Sequence, residues 1–114
     1  MSRESEVDDL WHRYDEERLT AADAGPGAIE TLDEFLYALE AGEARAAEPT
    51  GGGGPDGWTV NEWVKRGVLC NFGLRETRGR EYGDVTYHDV LPLRRTDDLG
   101  ERGTRNTPDG TVIR

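Results

Sequence analysis

The sequence predicts a small, mainly helical α+β domain: three helices, one β-hairpin and an extended segment. Apolar residues recur at helical spacing over 5–19 and 28–41 and crowd into a third stretch, 61–72. A glycine-rich turn separates two short runs, 44–49 and 57–60, as a hairpin would. Finally, 114 residues suffice for one small domain, and only 21 of them are Leu, Ile, Val or Phe, so these elements must share one modest core. So few aliphatics with a net charge of -10 resemble a disordered composition, but three Trp and four Tyr offset it, since each aromatic buries a large area. The balance is a folded but marginal domain, or a piece of something larger.

In the first helix Val7, Leu10, Trp11 and Tyr14 fall at i, i+3, i+4 and i+7 on one face. Ser5 is placed to cap it, with Asp8 and Asp9 in a first turn where the helix dipole favours anions. "TAADAGPGA" reads as a loop around Pro26. The second helix carries Ile29, Leu32, Phe35, Leu36 and Leu39, and Gly42 sits where it should stop.

The third helix has Asn61 as its expected N-cap, then Trp63, Val64, Val68, Leu69, Cys70 and Phe72, with Gly73 as its expected end. Its last two turns are apolar nearly all round, which predicts burial on most sides. Gly67 in its middle predicts the close approach of another backbone. "RETRGREYG" reads as a polar connection, "DVTYHDVLPL" as a strand that Pro92 ends or places at an edge, and "RTDDLGERG" as one short helical turn. A Pro-Asp-Gly turn follows at 108–110.

Charge is unevenly spread. Residues 1–50 hold fourteen acids against four arginines, whereas residues 51–114 are balanced. So acidic a surface repels phosphates and argues against nucleic-acid binding. One Lys beside thirteen Arg and 24 acids suits a protein kept soluble in concentrated salt, so a salt-loving source is expected. A lone Cys70 precludes an internal disulfide, the N-terminus carries no apolar run, and no stretch has the length of a membrane span; a cytoplasmic protein is expected.

By motif the chain carries no complete active site: no catalytic residue, resident cofactor or metal site is predicted. "TGGGGPDG" is not followed by Gly-Lys-Ser/Thr, so it is a flexible turn rather than a phosphate loop. His12, His88 and Cys70 lack metal-ligand spacing, and Cys70 reads as a buried small hydrophobe. The acid pairs Asp8–Asp9 and Asp97–Asp98, and the bases Lys65 and Arg66, read as solvated surface charge.

"GWTVNEWVKRGVLCNF", residues 57–72, resembles the hallmark of one family: a Trp-containing strand, then a helix of the type x-W-[LV]-K-[KR]-[AG]-V-L-x-x-F. Trp58, Trp63, Val64, Lys65, Arg66, Gly67, Val68, Leu69 and Phe72 match in order. Upstream "LDEFLYALEAGEARAAE", and downstream "YHDVLPLR" and "GTRNTPDGTVIR", are similar to the same family, the tetrahydrodipicolinate N-succinyltransferases of diaminopimelate and lysine biosynthesis. The resemblance covers roughly residues 29–114, more loosely the first helix; the glycine-rich hairpin turn is longer than the family's.

The resemblance implies that residues 1–97 form the family's N-terminal domain, with 61–72 as its central helix. Residues 98–114 would then be a connector to a left-handed β-helix of hexapeptide repeats that this chain lacks. It further implies a homotrimeric enzyme transferring a succinyl group from succinyl-CoA to a small dicarboxylate acceptor, with this chain inactive alone. Arg105 matches the family's acceptor-binding arginine in its Gly-x-Arg motif. On composition alone Arg105 reads as a solvated surface residue; the motif gives it a carboxylate to clamp. The rival reading is a stand-alone, non-catalytic acidic interaction module.

Overall fold

In a computed structural model, which describes residues 2–51, 57–107 and 112–114, three helices cluster together and two antiparallel hairpins flank them. This is the expected α+β class, with a second hairpin that the sequence reading lacked.

Helix α1 (Arg3–Asp15) starts earlier than expected because Ser2, not Ser5, caps it. The Ser2 hydroxyl accepts from the Ser5 N–H at 3.2 Å, which puts Glu4 and Glu6, rather than Asp8 and Asp9, in the dipole-favoured first turn. Helix α2 (Ala21–Ala41) absorbs most of the predicted loop. Thr20 caps it by accepting from the Asp23 N–H, one helical turn follows, and the helix kinks at Gly25 (φ 79°, ψ 173°). Glycine adopts that φ without penalty, and Pro26, preset to helical φ and lacking an N–H, opens the straight part. The two residues that read as breakers therefore make a kink inside one helix. Gly42 ends α2 as expected, in the left-handed region (φ 76°) with its N–H donating to Ala38 and Leu39 carbonyls.

Strands β1 (Ala47–Pro49) and β2 (Trp58–Val60) pair antiparallel, in the predicted hairpin. Most of its glycine-rich turn, 52–56, lies outside the described residues, as does the predicted turn at 108–110. The register sets Ala47 opposite Val60 and Pro49 opposite Trp58, so these four side chains share one exposed face.

Helix α3 (Glu62–Gly73) differs from expectation at both ends. Asn61 occupies the N-cap position without capping; its Nδ2 donates instead to the Arg45 carbonyl (2.8 Å) and to Glu48 (3.0 Å), joining the helix entry to the first hairpin. Gly73 stays helical, because Tyr14 packs where its Cβ would be. Gly67 does mark a close approach, but of the Phe35 ring rather than a backbone. The helix is not buried all round either: Val68, Leu69 and Phe72 are 36%, 40% and 45% exposed.

The segment read as a polar connection contains strand β3 (Arg78–Tyr82), paired with β4 (Val85–Asp89). Between them lies Gly83-Asp84, with Gly83 at φ 62°; two-residue hairpin turns demand such a positive φ. The strand that precedes Pro92 thus has a partner rather than standing alone.

The core has two parts. Val7, Phe35, Ala38, Ala44 and Val64 form one, with Trp63 meeting Phe35 edge-on at 5.9 Å. Leu10, Ala28, Leu32, Cys70 and Leu74 form the other. On α2 the buried line runs Ala28–Leu32–Phe35–Ala38, so Ile29, Leu36 and Leu39, read as members of the same apolar stripe, flank it. The small Ala28 and Ala38 let the helices approach, and each helix touches both others. The radius of gyration is 16.4 Å, against about 13 Å for a compact domain of about 100 residues. Hairpins and C-terminal stretch spread beyond the helical core.

Candidate functional site

Arg105, the predicted acceptor-binding residue, follows a turn built by local chemistry. Leu99 is buried, and around it the chain winds through 97–103 in hydrogen-bonded turns, including Thr104 N–H to the Leu99 carbonyl at 2.9 Å. This matches the helical turn expected there. Asp98 sits at the hub: Arg94 donates to it at 3.0 Å and Arg102 at 2.8 Å, while Arg95 pairs with Asp97 at 2.8 Å. The arginine hydrogen bonds hold the carboxyls of Asp98 and Asp97 below their ordinary range, and raise Arg94 and Arg95 in turn. Asp98 is therefore structural, whereas Asp97 stays at the surface as read, in an exposed pair with Arg95.

Gly103 closes this turn at φ 74°, a left-handed conformation that suits glycine. Arg105 emerges two residues later, exposed, with no hydrogen bond or ion pair to another described residue. Its guanidinium is available to a ligand. Beyond it, the Ile113 carbonyl accepts from the Arg94 N–H at 2.8 Å. Arg114 lies over the Phe72 ring at 5.3 Å and donates to Asp89 at 2.7 Å. Asp89 is held below the ordinary carboxyl range first by the Val90 N–H, then by Arg114.

The remaining sequence candidates are not brought together. His12 is exposed on α1, 3.3 Å from Glu16, and His88 lies on β4. Cys70 is buried in the core, where desolvation pushes its thiol up to about 11. Among the described residues no group of His, Cys, Asp or Glu is placed to hold a metal, and no helix is long and apolar enough to cross a membrane. Lys65 is exposed as read, but Arg66 is not merely solvated: it pairs with Asp8 at 3.0 Å and ties α3 to α1.

A second constellation escaped the sequence reading. A cleft of about 520 Å³ lies between the kinked start of α2 and the β3–β4 hairpin, with Arg75, Arg78 and Arg80 in its walls. Arg75, its side chain only 10% exposed, donates through Nε to Asn71 (2.8 Å) and through Nη2 to Asp33 (2.7 Å). Buried Asn71 in turn donates to the Gly67 carbonyl at 2.8 Å, so a polar relay fixes Arg75 to both helices. The available signal was the Arg78-x-Arg80 spacing before Gly-Asp, which puts both arginines on one strand face.

Residues 2–74 match the family described as Tetrahydrodipicolinate N-succinyltransferase N-terminal. The chain is similar to proteins named 2,3,4,5-tetrahydropyridine-2,6-dicarboxylate N-succinyltransferase. That of Granulibacter bethesdensis is 37% identical over 89 residues, covering 77% of this chain and 30% of the relative. That of Gluconobacter oxydans is 39% identical over 114 residues, 95% of this chain and 38% of the relative. That of Dechloromonas aromatica is 26% identical over 111 residues, with the same two coverages, 95% and 38%. The chain spans 30 to 38% of the length of these curated relatives.

Proposed function

The chain belongs to the N-terminal family of the tetrahydrodipicolinate N-succinyltransferases, and on that footing we propose that it is the acceptor-side domain of such an enzyme. The reaction moves a succinyl group from succinyl-CoA to the amine of 2-amino-6-oxopimelate, the open, hydrated form of tetrahydrodipicolinate, in diaminopimelate and lysine biosynthesis. The amine attacks the thioester carbonyl, the carbon–sulfur bond breaks, and the amine's proton leaves as coenzyme A departs as its thiol. We assign the groups that promote these steps to a following β-helix domain, in a cytoplasmic homotrimer. The role of this chain is to hold an acceptor carboxylate.

Arg105 is the residue suited to that role. The observation that carries the reading is its setting, a free guanidinium emerging just past the left-handed Gly103 in a chain of this family. A planar guanidinium meets a carboxylate through two parallel hydrogen bonds, which lysine cannot reproduce. We take residues 1–97 as the domain and 98–114 as the connector, whose first residue, Asp98, is tied back to Arg94.

The test is kinetic, in a chain carrying the following domain. Arg105→Lys should raise the acceptor KM and Arg105→Ala should raise it further, since truncating one arm of a buried charge pair costs about 2–5 kcal/mol. The KM for succinyl-CoA should stay unchanged in both. Unaltered acceptor kinetics in both variants would remove Arg105 from the site. The 114-residue chain alone should release no coenzyme A in response to acceptor.

A further inference from the structure

We propose that the cleft between α2 and the β3–β4 hairpin binds a small organic oxyanion, a carboxylate or phosphate head on an apolar body. Arg78 and Arg80 hold the head, and Arg75 forms the fixed back wall. This site is separate from Arg105 and does not depend on the role given to that residue.

The charge balance carries the head group. Three arginines and three acids line the cleft, but the acids are not equally available. Asp33 is taken up by Arg75, and Asp89 by Arg114 and the Val90 N–H. Glu76 alone of the three has no partner among the described residues. The side chains of Arg78 and Arg80 likewise make no ion pair or hydrogen bond to a described residue, although they stand on one face of β3. Two uncommitted guanidiniums therefore face one uncommitted carboxylate. In a chain of net charge -10, that excess of positive charge in a concave site is unusual.

Arg75 adds preorganisation. Its guanidinium is fixed through Nε and Nη2, leaving Nη1 without a described partner. A donor held in place loses little freedom when a ligand arrives. The apolar body follows from the floor, where Ile29, Leu74, Leu91 and Pro92 lie between the polar walls. The cleft is more polar than a typical small-molecule pocket, but its volume of several hundred Å³ and its converging arginines beside an apolar floor suit a small ligand with a charged head. Arg78 and Arg80 also line a smaller cavity of about 140 Å³ on the hairpin's C-terminal side, so their heads are approachable from two directions.

The experiment is an amide NMR titration of the 114-residue chain with acetate, benzoate and inorganic phosphate, at constant ionic strength set by sodium chloride. Saturable shifts should centre on residues 75–80 and 89–92, with millimolar affinity. Benzoate should bind more tightly than acetate because its ring covers the apolar floor. Saturation by benzoate identifies a carboxylate site, and saturation by phosphate alone a phosphate site. Arg78→Gln and Arg80→Gln should each weaken binding, and together by about tenfold or more, as two charge-assisted pairs are lost. Both positions are exposed on a hairpin outside the helical core, so the variants should keep their fold. Arg105→Gln should leave the saturable shifts at residues 75–80 and 89–92 unchanged, because Arg105 does not line the cleft, which separates this outcome from the test of Arg105. Shifts that grow linearly without saturation for all three anions, or equal affinities in the Arg78→Gln/Arg80→Gln protein, would overturn the proposal.

Discussion

Replacing a mid-helix glycine by alanine normally stabilises a helix by about 1 kcal/mol. Gly67→Ala should do the reverse. A Cβ built at Gly67 falls 2.5 Å from both Cε2 and Cζ of Phe35, and 2.9 Å from Cε1. Carbon atoms rest at about 3.5–4.0 Å, so the methyl group would intrude by about 1 Å on three ring atoms. Phe35 is fully buried, with Trp63 edge-on against it, so its ring cannot withdraw without displacing α2 or α3. Overpacking of this kind costs about 1–3 kcal/mol. A rigid neighbour puts it near the top of that range, and subtracting the propensity gain leaves a net loss of about 2 kcal/mol. For a small domain that lowers Tm by roughly 10 °C. Urea denaturation followed by tryptophan fluorescence measures the loss directly. Phe35→Leu in the Gly67→Ala background should recover part of it, seen as a favourable coupling in the double-mutant cycle. Gly73→Ala is the internal control: its Cβ would meet Tyr14 at 2.4 Å, but Tyr14 is only partly buried and can swing outward, so the loss should be smaller. A Gly67→Ala protein as stable as its parent, or more so, would refute this account of the α2–α3 contact.

Three further outcomes are expected. Cys70, fully buried with its thiol pushed up to about 11, should exist as thiolate in only about a thousandth of molecules at pH 8 and should resist iodoacetamide until urea unfolds the chain; fast alkylation under native conditions would contradict its burial. Asp97, Asp98 and Asp89 titrate below their ordinary value of 3.8 in the fold, so their contribution is complete above that value and lost as pH falls through their lower folded values. Amide signals of residues 94–104 should therefore broaden or shift in acid before those of α1–α3, and simultaneous loss would deny the turn its local support. Stability should also rise from low to molar KCl, because ten net negative charges crowd residues 1–50 and the Debye length falls from about 10 Å at 0.1 M to about 3 Å at 1 M. The exposed ion pairs that salt weakens, such as Arg3–Glu43 at 3.4 Å, are worth little individually, so a falling midpoint would show that attraction outweighs repulsion.

What the sequence made legible were features whose cause is local. Helical periodicity, Gly42 as a left-handed stop and the β1–β2 hairpin each follow from neighbours a few residues apart, and each is present. The misreadings share a different origin, competition from elsewhere in the chain. Asn61 is a good N-cap by type, yet Arg45 and Glu48 claim its amide. Gly73 is a good helix stop by type, yet the space above it belongs to Tyr14, on a helix nearly sixty residues away. Arg66 and Asp8 looked solvated because nothing in a periodic pattern says that two polar sectors will face each other. Strand β4 was legible, but its partner β3 was missed for a third reason: Arg78, Gly79, Arg80 and Glu81 are exposed and carry no apolar alternation by which a strand is recognised, leaving Gly83-Asp84 as the main mark of the hairpin.

The same distinction separates the two candidate sites. Arg105 was legible through a motif, which transfers a role without geometry; the fold adds that Gly103 turns the chain and leaves the guanidinium free. The arginine cleft was illegible because it is assembled from three places. Its rigidity comes from Asn71 and Asp33, its floor from Ile29 and Leu74 of the helical core with Leu91 and Pro92 after β4, and its charged wall from a hairpin. Arg75, Arg78 and Arg80 lie close in sequence, but a cluster of arginines in a polar stretch means little until its counter-charges are counted. That count depends on Arg114, which reaches across to Asp89. Had Arg114 left Asp89 free, Arg78, its cross-strand neighbour, would have been neutralised and the cleft would carry no excess charge. The pairing of Arg114 with Asp89 is thus what sets the sign of the cleft, and Arg114→Gln should weaken anion binding there although Arg114 itself does not line it. Unchanged benzoate and phosphate affinities in that variant would show that Asp89 never competed for Arg78.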